Sequence, residues 1–374
     1  MTKDSGKLDW VQAIRGLAAL LVVFCHCRDF FKESDQYPLI EKILLPGAMG
    51  VDLFFIISGF IMVYSTRNND GSLASVRNFA VNRFFRVWPT YFAATIFWIL
   101  IVEHGSAFFD ATGSARAFFE SVFFIPVNKD AALYFGSVIP VGWTLNFEMY
   151  FYAIFGASLL FRKFRFAAFA LFVSATVIIA PLLFRTLNLS PFNSYRFDFS
   201  YFNLMTNPII LEFFAGALIG KIYLNNRISF KHKWLAAFTV LAASVFVIWY
   251  NYFGIAYLHG IKEWGFSLAV FVLCLAIASK TIRIPTPQPL IWIGKVSFSL
   301  YVTHLALVKA SLVYFAANGS PPMGVIQIFV PVLVITIFAV AAVFHRYVET
   351  QFSNWLKGIL TRFISSKSAL PASL

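Results

Sequence analysis

Two ionisable side chains lie inside the first apolar segment of the chain. Arg15 and His26 are eleven residues apart there. Eleven steps of about 100° return an α-helix to within roughly 20° of its starting direction, so both side chains share one face, about 16 Å apart along the axis. An ionisable group in lipid costs roughly 2.5 kcal/mol or more and usually faces a polar cavity, a substrate path or a partner. The pair therefore predicts a function inside the membrane.

Three further ionisable residues are predicted to lie within the membrane. Asp52 is in the run GVDLFF and Glu148 is in the run GWTLNFEMY, each near the outer start of a predicted span. Both should lie close to the depth of His26, and Glu148 should lie about a turn or two below the surface. His304, at the end of the run SFSLYVTH, should lie near the middle of the membrane.

A pair of arginines precedes the third predicted span. Arg83 and Arg86 are three residues apart, so they occupy neighbouring positions on one face of a helix. Two guanidinium groups arranged in this way can bind phosphate through several hydrogen bonds. The alternative is that they are positive-inside anchors that bind lipid headgroups.

The elements that must position these residues are transmembrane helices. Hydrophobic residues make up 59% of the 374 residues and charged residues only 13%, which is outside the usual balance of a soluble domain. We predict an all-α polytopic membrane protein with about ten spans, each long enough to cross about 30 Å of hydrocarbon. The predicted spans are residues 10–30, 50–66, 88–103, 142–161, 166–184, 206–224, 234–253, 264–279, 297–316 and 324–344.

The distribution of Lys and Arg predicts the orientation. If the N-terminus is inside, about twenty basic residues fall in inner segments and about eight in outer segments, which places both termini in the cytoplasm. Topology and anionic lipid then explain the net charge of +13 without a nucleic-acid partner. We expect a transmembrane domain over residues 1–347 and a short basic cytoplasmic tail over residues 348–374, with no cleavable signal peptide.

The cysteines do not indicate a metal site. Cys25, Cys27 and Cys274 all lie in predicted spans, so a disulfide framework is not expected. The run Cys25-His26-Cys27 is on a predicted helix, where successive side chains diverge by about 100° and cannot converge on one ion. We predict no metal.

Five of these patterns together resemble the membrane-bound acyltransferase-3 family. They are the Arg15–His26 spacing, the GVDLFF run, the SGF run, the Arg83-x-x-Arg86 pair and the SLYVTH element, and they follow one another in the family's order along nearly the whole chain. The run NPIILEF and the overall length are similar to the branch that acetylates bacterial exopolysaccharides. The resemblance implies a multi-pass protein of the bacterial inner membrane that transfers an acyl group, most simply acetyl, from acyl-coenzyme A to a glycan hydroxyl.

The resemblance also implies roles for the basic residues. Arg83 and Arg86 would hold the phosphates of acetyl-coenzyme A at the inner mouth, with Arg15 slightly deeper. The distance of about 16 Å from Arg15 to His26 is comparable with an extended pantetheine arm. His304 is predicted to line the same donor channel or to orient its neighbours.

For acyl transfer, the acceptor hydroxyl must lose a proton as it attacks the thioester, and a histidine suits that task. We predict that His26 is the general base. A carboxylate on its other ring nitrogen would fix its tautomer, with Glu148 as first choice and Asp52 as second; alternatively, Asp52 only satisfies a helix N-terminus. Donors to the oxyanion are left open among Asn146, Tyr150 and Ser58. A covalent route through Ser58, Cys25 or His26 itself also stays open.

The alternative function is a transporter or flippase for a glycan or lipid-linked sugar, with His26, Glu148 and Arg15 along the pathway. A third hypothesis is a structural subunit of a polysaccharide assembly complex. The expected partners are acyl-coenzyme A, a polysaccharide or lipid-linked sugar acceptor and membrane lipids; a homo-oligomer stays open. The histidines at loops or span ends are expected to have ordinary interfacial roles: His104, His232, His259 and His345.

Overall fold

The computed structural model describes residues 8–368 apart from 106, 129, 132, 185 and 194, with side chains to residue 362. All regular elements in this part of the chain are helices, so the predicted all-α class is confirmed. The first eight α-helices are α1 Asp9–Cys27, α2 Tyr37–Leu44, α3 Gly50–Ser65, α4 Leu73–Ile101, α5 Ala107–Asp110, α6 Ser114–Val122, α7 Trp143–Leu159 and α8 Arg165–Ser174. The others are α9 Ala180–Phe184, α10 Ser200–Met205, α11 Ile210–Leu224, α12 Lys233–Tyr252, α13 Trp264–Ala278, α14 Gln288–Asn318, α15 Met323–Val343 and α16 Ser353–Ser368.

Shorter helices of other types join several of these elements. The 3₁₀-helices are Arg28–Phe31, Leu45–Met49, Pro140–Gly142 and Arg162–Phe164, and the π-helices are Ala175–Ile179 and Phe344–Phe352. The second π-helix joins α15 to α16, so the predicted boundary between residues 347 and 348 lies within one continuous helical segment. The division into a domain and a tail stays a prediction, and residues 369–374 lie outside the described part.

Apolar helices confirm a polytopic membrane protein. Within the described residues, seven helical segments are long and apolar enough to cross a membrane. Three shorter helices, α7, α11 and α13, coincide with further predicted spans. The count of ten and the cytoplasmic termini stay predictions. The seven longer segments are Asp9–Phe31, Tyr37–Ser65, Leu73–Ile101, Arg162–Phe184, Lys233–Tyr252, Gln288–Asn318 and Met323–Arg362.

Glycines bring α1 against α14. A Cβ atom on Gly294 of α14 would lie 1.9 Å from the carbonyl oxygen of Gln12, and one on Gly16 of α1 would lie 2.3 Å from that of Leu290. The two backbones are therefore in direct contact, as small residues permit in membrane helices. This contact fixes the helix that carries Arg15 against the helix that carries His304.

A second glycine contact joins α3 and α11. A Cβ atom on Gly59 would lie 2.0 Å from the carbonyl oxygen of Phe213, and one on Gly216 would lie 1.9 Å from that of Ile56. The ring of Phe213 also lies between two other rings, with centroids 4.4 Å from Phe55 and 4.5 Å from Phe151. Since Phe151 belongs to α7, this aromatic stack holds α3, α7 and α11 together.

We expect Gly216→Ala to destabilise the protein by about 1–3 kcal/mol, because the added methyl group must push two helix backbones apart. The measurement is the midpoint temperature of unfolding of the detergent-purified protein. Gly324→Ala is the matched control, since a Cβ atom there has no neighbour within 4 Å, and its midpoint should not fall. Equal midpoints for the two variants would contradict the close contact between α3 and α11.

Candidate active site

All three arginines predicted to bind phosphate line one cavity of about 80 Å³, which we call the arginine cavity. Arg15 comes from α1, while Arg83 and Arg86 come from α4. Residues of α3, α7 and α14 complete the wall. The structure therefore brings together side chains that are 68 or more residues apart in the sequence.

The guanidinium groups of this cavity keep free hydrogen-bond donors. Arg15 Nη2 donates to Ser297 Oγ at 2.9 Å, and Arg83 Nη2 donates to Ser65 Oγ at 3.1 Å. Neither arginine, nor Arg86, forms an ion pair with a carboxylate within the described part of the chain. Each guanidinium has five N–H donors, so the cavity is suited to bind an anion with several acceptor oxygens.

Glu148 lies in the arginine cavity rather than beside His26. Its Oε1 accepts hydrogen bonds from Ser58 Oγ, at 3.2 Å, and from the hydroxyl of Tyr152. The Tyr152 ring in turn lies 5.5 Å from the Arg83 guanidinium. Glu148 and His26 were expected at one depth, but depth along the membrane does not determine which neighbouring helix a side chain faces. The structure does not bring this pair together.

A second, larger cavity contains the histidines. His26 from α1 and His259 from the loop between α12 and α13 line a cavity of about 360 Å³, which we call the histidine cavity. Val51 and Tyr301 line both cavities. The two cavities are thus neighbours, and α1 connects them by carrying Arg15 into one and His26 into the other.

His304 is the residue that the structure brings to His26. Their ring centroids are 5.2 Å apart, and His304 is fully buried. His304 Nδ1 lies 2.8 Å from the carbonyl oxygen of Tyr301 and 3.1 Å from that of Leu300. Because carbonyl oxygens only accept, Nδ1 carries the proton. Its Nε2 is buried and has no hydrogen-bond partner among the described residues.

Asp52 binds a histidine that the sequence did not assign to the site. Its Oδ2 lies 2.7 Å from His259 Nδ1, and its Oδ1 accepts a hydrogen bond of 3.0 Å from the backbone N–H of Gly260. Asp52 is fully buried and His259 is 8% exposed. Asp52 was the second choice to orient His26, and His259 was expected to have an interfacial role. The two are 207 residues apart, so no local sequence pattern could pair them.

Two carboxylates missed by the sequence analysis lie beside the site. Glu212 is fully buried next to Asp52. Glu349 accepts hydrogen bonds from Ser299 Oγ at 2.6 Å and from His345 Nδ1 at 3.0 Å, and it lies within electrostatic range of the arginine cavity. An acidic residue within an apolar helix was the available signal for Glu212.

The candidate oxyanion donors and nucleophiles do not all line a cavity. Ser58 lines the arginine cavity and Cys25 lines the histidine cavity, whereas Asn146 and Tyr150 line neither. The amide of Asn146 and the hydroxyl of Tyr150 are buried without hydrogen-bond partners in the described part of the chain. Among the described residues, no group of three or more His, Cys, Asp or Glu side chains is placed to hold a metal ion.

Several known proteins are similar to this chain. The exopolysaccharide production protein ExoZ of Rhizobium meliloti (strain 1021) is 35% identical over 184 residues, which cover 49% of this chain and 53% of the relative. The acyltransferase MdmB of Streptomyces mycarofaciens is 31% identical over 87 residues, 23% of this chain and 21% of that protein. A Staphylococcus aureus (strain COL) protein named as a putative O-acetyltransferase is 25% identical over 395 aligned positions, 96% of this chain and 61% of that protein.

The chain thus spans less than two thirds of the length of these relatives. No solved structure matches it. The family described as the acyltransferase domain, acyltransferase-3, matches residues 8–346, a range that includes every site residue predicted from the sequence. The match covers both cavities and nearly the whole chain, and we conclude that this protein belongs to the acyltransferase-3 family of membrane proteins.

Proposed function

We propose that this protein is a membrane O-acyltransferase that transfers an acyl group, most simply acetyl, from acyl-coenzyme A to a hydroxyl of an exported or cell-surface glycan. The observation that carries the proposal is the pair of adjoining cavities. One presents three guanidinium groups without carboxylate ion pairs, and the other presents histidines. An anionic donor needs a cationic site, and an acceptor hydroxyl needs a base, so each cavity matches one of the two substrates.

The arginine cavity suits the donor. Coenzyme A carries phosphates at one end and the thioester at the other, so binding must fix the phosphates while the pantetheine arm extends away. Arg83 and Arg86 bind the phosphates, and Arg15 adds a donor on the side nearer to the histidine cavity. The axial rise from Arg15 to His26, about 16 Å, then allows the arm to present the thioester to His26.

The predicted orientation of the bundle supports this assignment. With both termini in the cytoplasm, the arginine cavity is the one nearer to the compartment in which acyl-coenzyme A is made. The histidine cavity then faces the outer half of the membrane, where an exported glycan or a lipid-linked sugar is accessible. We place the protein in the bacterial inner membrane on this basis.

His26 is the general base of the proposed reaction. It takes the proton of the acceptor hydroxyl as the oxygen attacks the thioester carbon. The tetrahedral intermediate collapses with cleavage of the C–S bond, and the imidazolium returns its proton to the leaving thiolate. The His304 ring packs against the His26 ring in this scheme and limits its rotation. Ser58 and Tyr152 hold Glu148 on the donor side, where it limits the positive charge around the arginines.

The names of the relatives support the acceptor class. One relative is an exopolysaccharide production protein and another is named as a putative O-acetyltransferase. An exported polysaccharide with acetylated hydroxyl groups is the product that joins these two descriptions. A complex with polysaccharide assembly proteins and a homo-oligomer are both compatible with this activity.

His26→Ala should lower kcat by about 10²- to 10⁴-fold, the usual contribution of a general base, while the Kd for acetyl-coenzyme A stays unchanged. The measurement is transfer of radiolabelled acetyl groups to base-deacetylated cell-envelope glycan by the purified protein. The control is His232→Ala, which changes an exposed histidine outside both cavities. If His26→Ala transfers acetyl groups at the wild-type rate, His26 is not the general base.

The same preparation distinguishes the alternative function. Movement of labelled glycan across proteoliposomes without release of coenzyme A would favour the transporter. Unchanged acyl content of the cell-surface polymer in His26→Ala cells would favour a structural subunit.

Arg86→Gln should raise the Kd for acetyl-coenzyme A by about 10- to 100-fold, because one charge-assisted contact to phosphate is lost. Acetyl-pantetheine, which has no phosphate, should react with the variant and the wild type at equal kcat/KM. Arg77→Gln is the matched control, since Arg77 lies on the same helix but is exposed and outside the cavity. If Arg86→Gln lowers kcat/KM equally for acetyl-coenzyme A and for acetyl-pantetheine, Arg86 does not act by binding phosphate.

A further inference from the structure

The histidine cavity has an aromatic wall and few polar groups. Six aromatic side chains line it, together with the imidazoles of His26 and His259 and the guanidinium group of Arg28. Its volume of about 360 Å³ lies within the range of roughly 300–1,000 Å³ that is typical of small-molecule sites. The six aromatic residues are Tyr134, Trp143, Phe192, Tyr257, Trp264 and Tyr301.

His259 is held in one orientation by this wall. Its ring centroid lies 5.1 Å from that of Trp264, at 89° between planes, and 5.7 Å from that of Trp143. On another side the ring of Phe192 stacks at 6.2 Å and 22°. Three aromatic neighbours leave the imidazole little freedom to rotate, so its position is set before any ligand binds.

Asp52 determines which atom His259 presents to the cavity. The buried carboxylate accepts a hydrogen bond from His259 Nδ1 at 2.7 Å, so Nε2 is the ring nitrogen that stays available to a ligand. No described residue forms a hydrogen bond with that Nε2. The second oxygen of Asp52 accepts the N–H of Gly260 at 3.0 Å, so one carboxylate fixes both the ring and the loop that carries it.

We propose that the histidine cavity binds one sugar ring of the acceptor, and that His259, held by Asp52, binds a hydroxyl of that ring through Nε2. This inference rests on the proposed function. Aromatic faces pack against the C–H faces of a sugar, while a few fixed polar atoms select its hydroxyl groups. His26 lines the same cavity, so a sugar bound to His259 has another hydroxyl available to His26.

The assignment gives the two histidines different tasks. His26 adjoins the arginine cavity through α1 and acts on the reacting hydroxyl. His259 comes from the α12–α13 loop, on the side of Asp52, and recognises the acceptor. A buried polar atom that binds a substrate hydroxyl discriminates strongly against a ligand without it, because the atom is then left unpaired.

The test measures apparent KM for base-deacetylated cell-envelope glycan separately from the Kd for radiolabelled acetyl-coenzyme A. His259→Ala should raise the KM for glycan by about tenfold, the expected loss for one buried hydrogen bond. The Kd for the donor should not change. Asp52→Asn, which removes the charge but keeps the size, should raise the same KM. His232→Ala, an exposed histidine outside the cavity, should leave both values at wild type.

His259→Gln provides a rescue test. Its side-chain amide can still bond to a hydroxyl, so its KM should lie between those of the wild type and His259→Ala. If His259→Ala does not bind the donor and is therefore misfolded, the comparison is made on His259→Gln and Asp52→Asn. A wild-type KM for glycan in a variant that binds the donor overturns this inference. By contrast, failure of the wild type to bind acetyl-coenzyme A or to label glycan overturns the proposed function itself.

Discussion

Ionisable side chains inside this bundle lose their contact with water, and the rest of the structure depends on how the protein compensates for that loss. A polar group in hydrocarbon is costly unless the protein supplies a partner or a cavity. Arg15 therefore contacts Ser297, and Asp52 contacts His259 and Gly260. The polar residues of the bundle consequently gather in its interior, around two adjoining cavities.

Close helix packing makes this arrangement possible. Direct backbone contact at Gly16 and Gly294 holds α1 against α14, and a similar contact at Gly59 and Gly216 holds α3 against α11. α1 then extends past both cavities, while Tyr301 of α14 lines both. The walls that the arginine cavity and the histidine cavity share are thus built from helices rather than from loops, except on the side of His259.

The sequence predicted the site in part. The spacing of Arg83 and Arg86 indicated one face of one helix, and the structure places both side chains in one cavity. The pairing of Glu148 with His26 was a different kind of inference, because it used only their expected depth. Glu148 contacts Ser58 and Tyr152 instead, since each helix can face several neighbours at the same depth.

The sequence by itself determined the helical class, the apolar segments, the shared face of Arg15 and His26, and the membership of the family. The first three properties follow from composition and from the helical period, which act over a few residues. Family membership rests instead on the motifs and their order along residues 8–346. Only the tertiary structure decided that His304 lies against His26 and that Asp52 holds His259. Such contacts join residues more than 200 positions apart, and they depend on how whole helices pack around one another rather than on any local pattern.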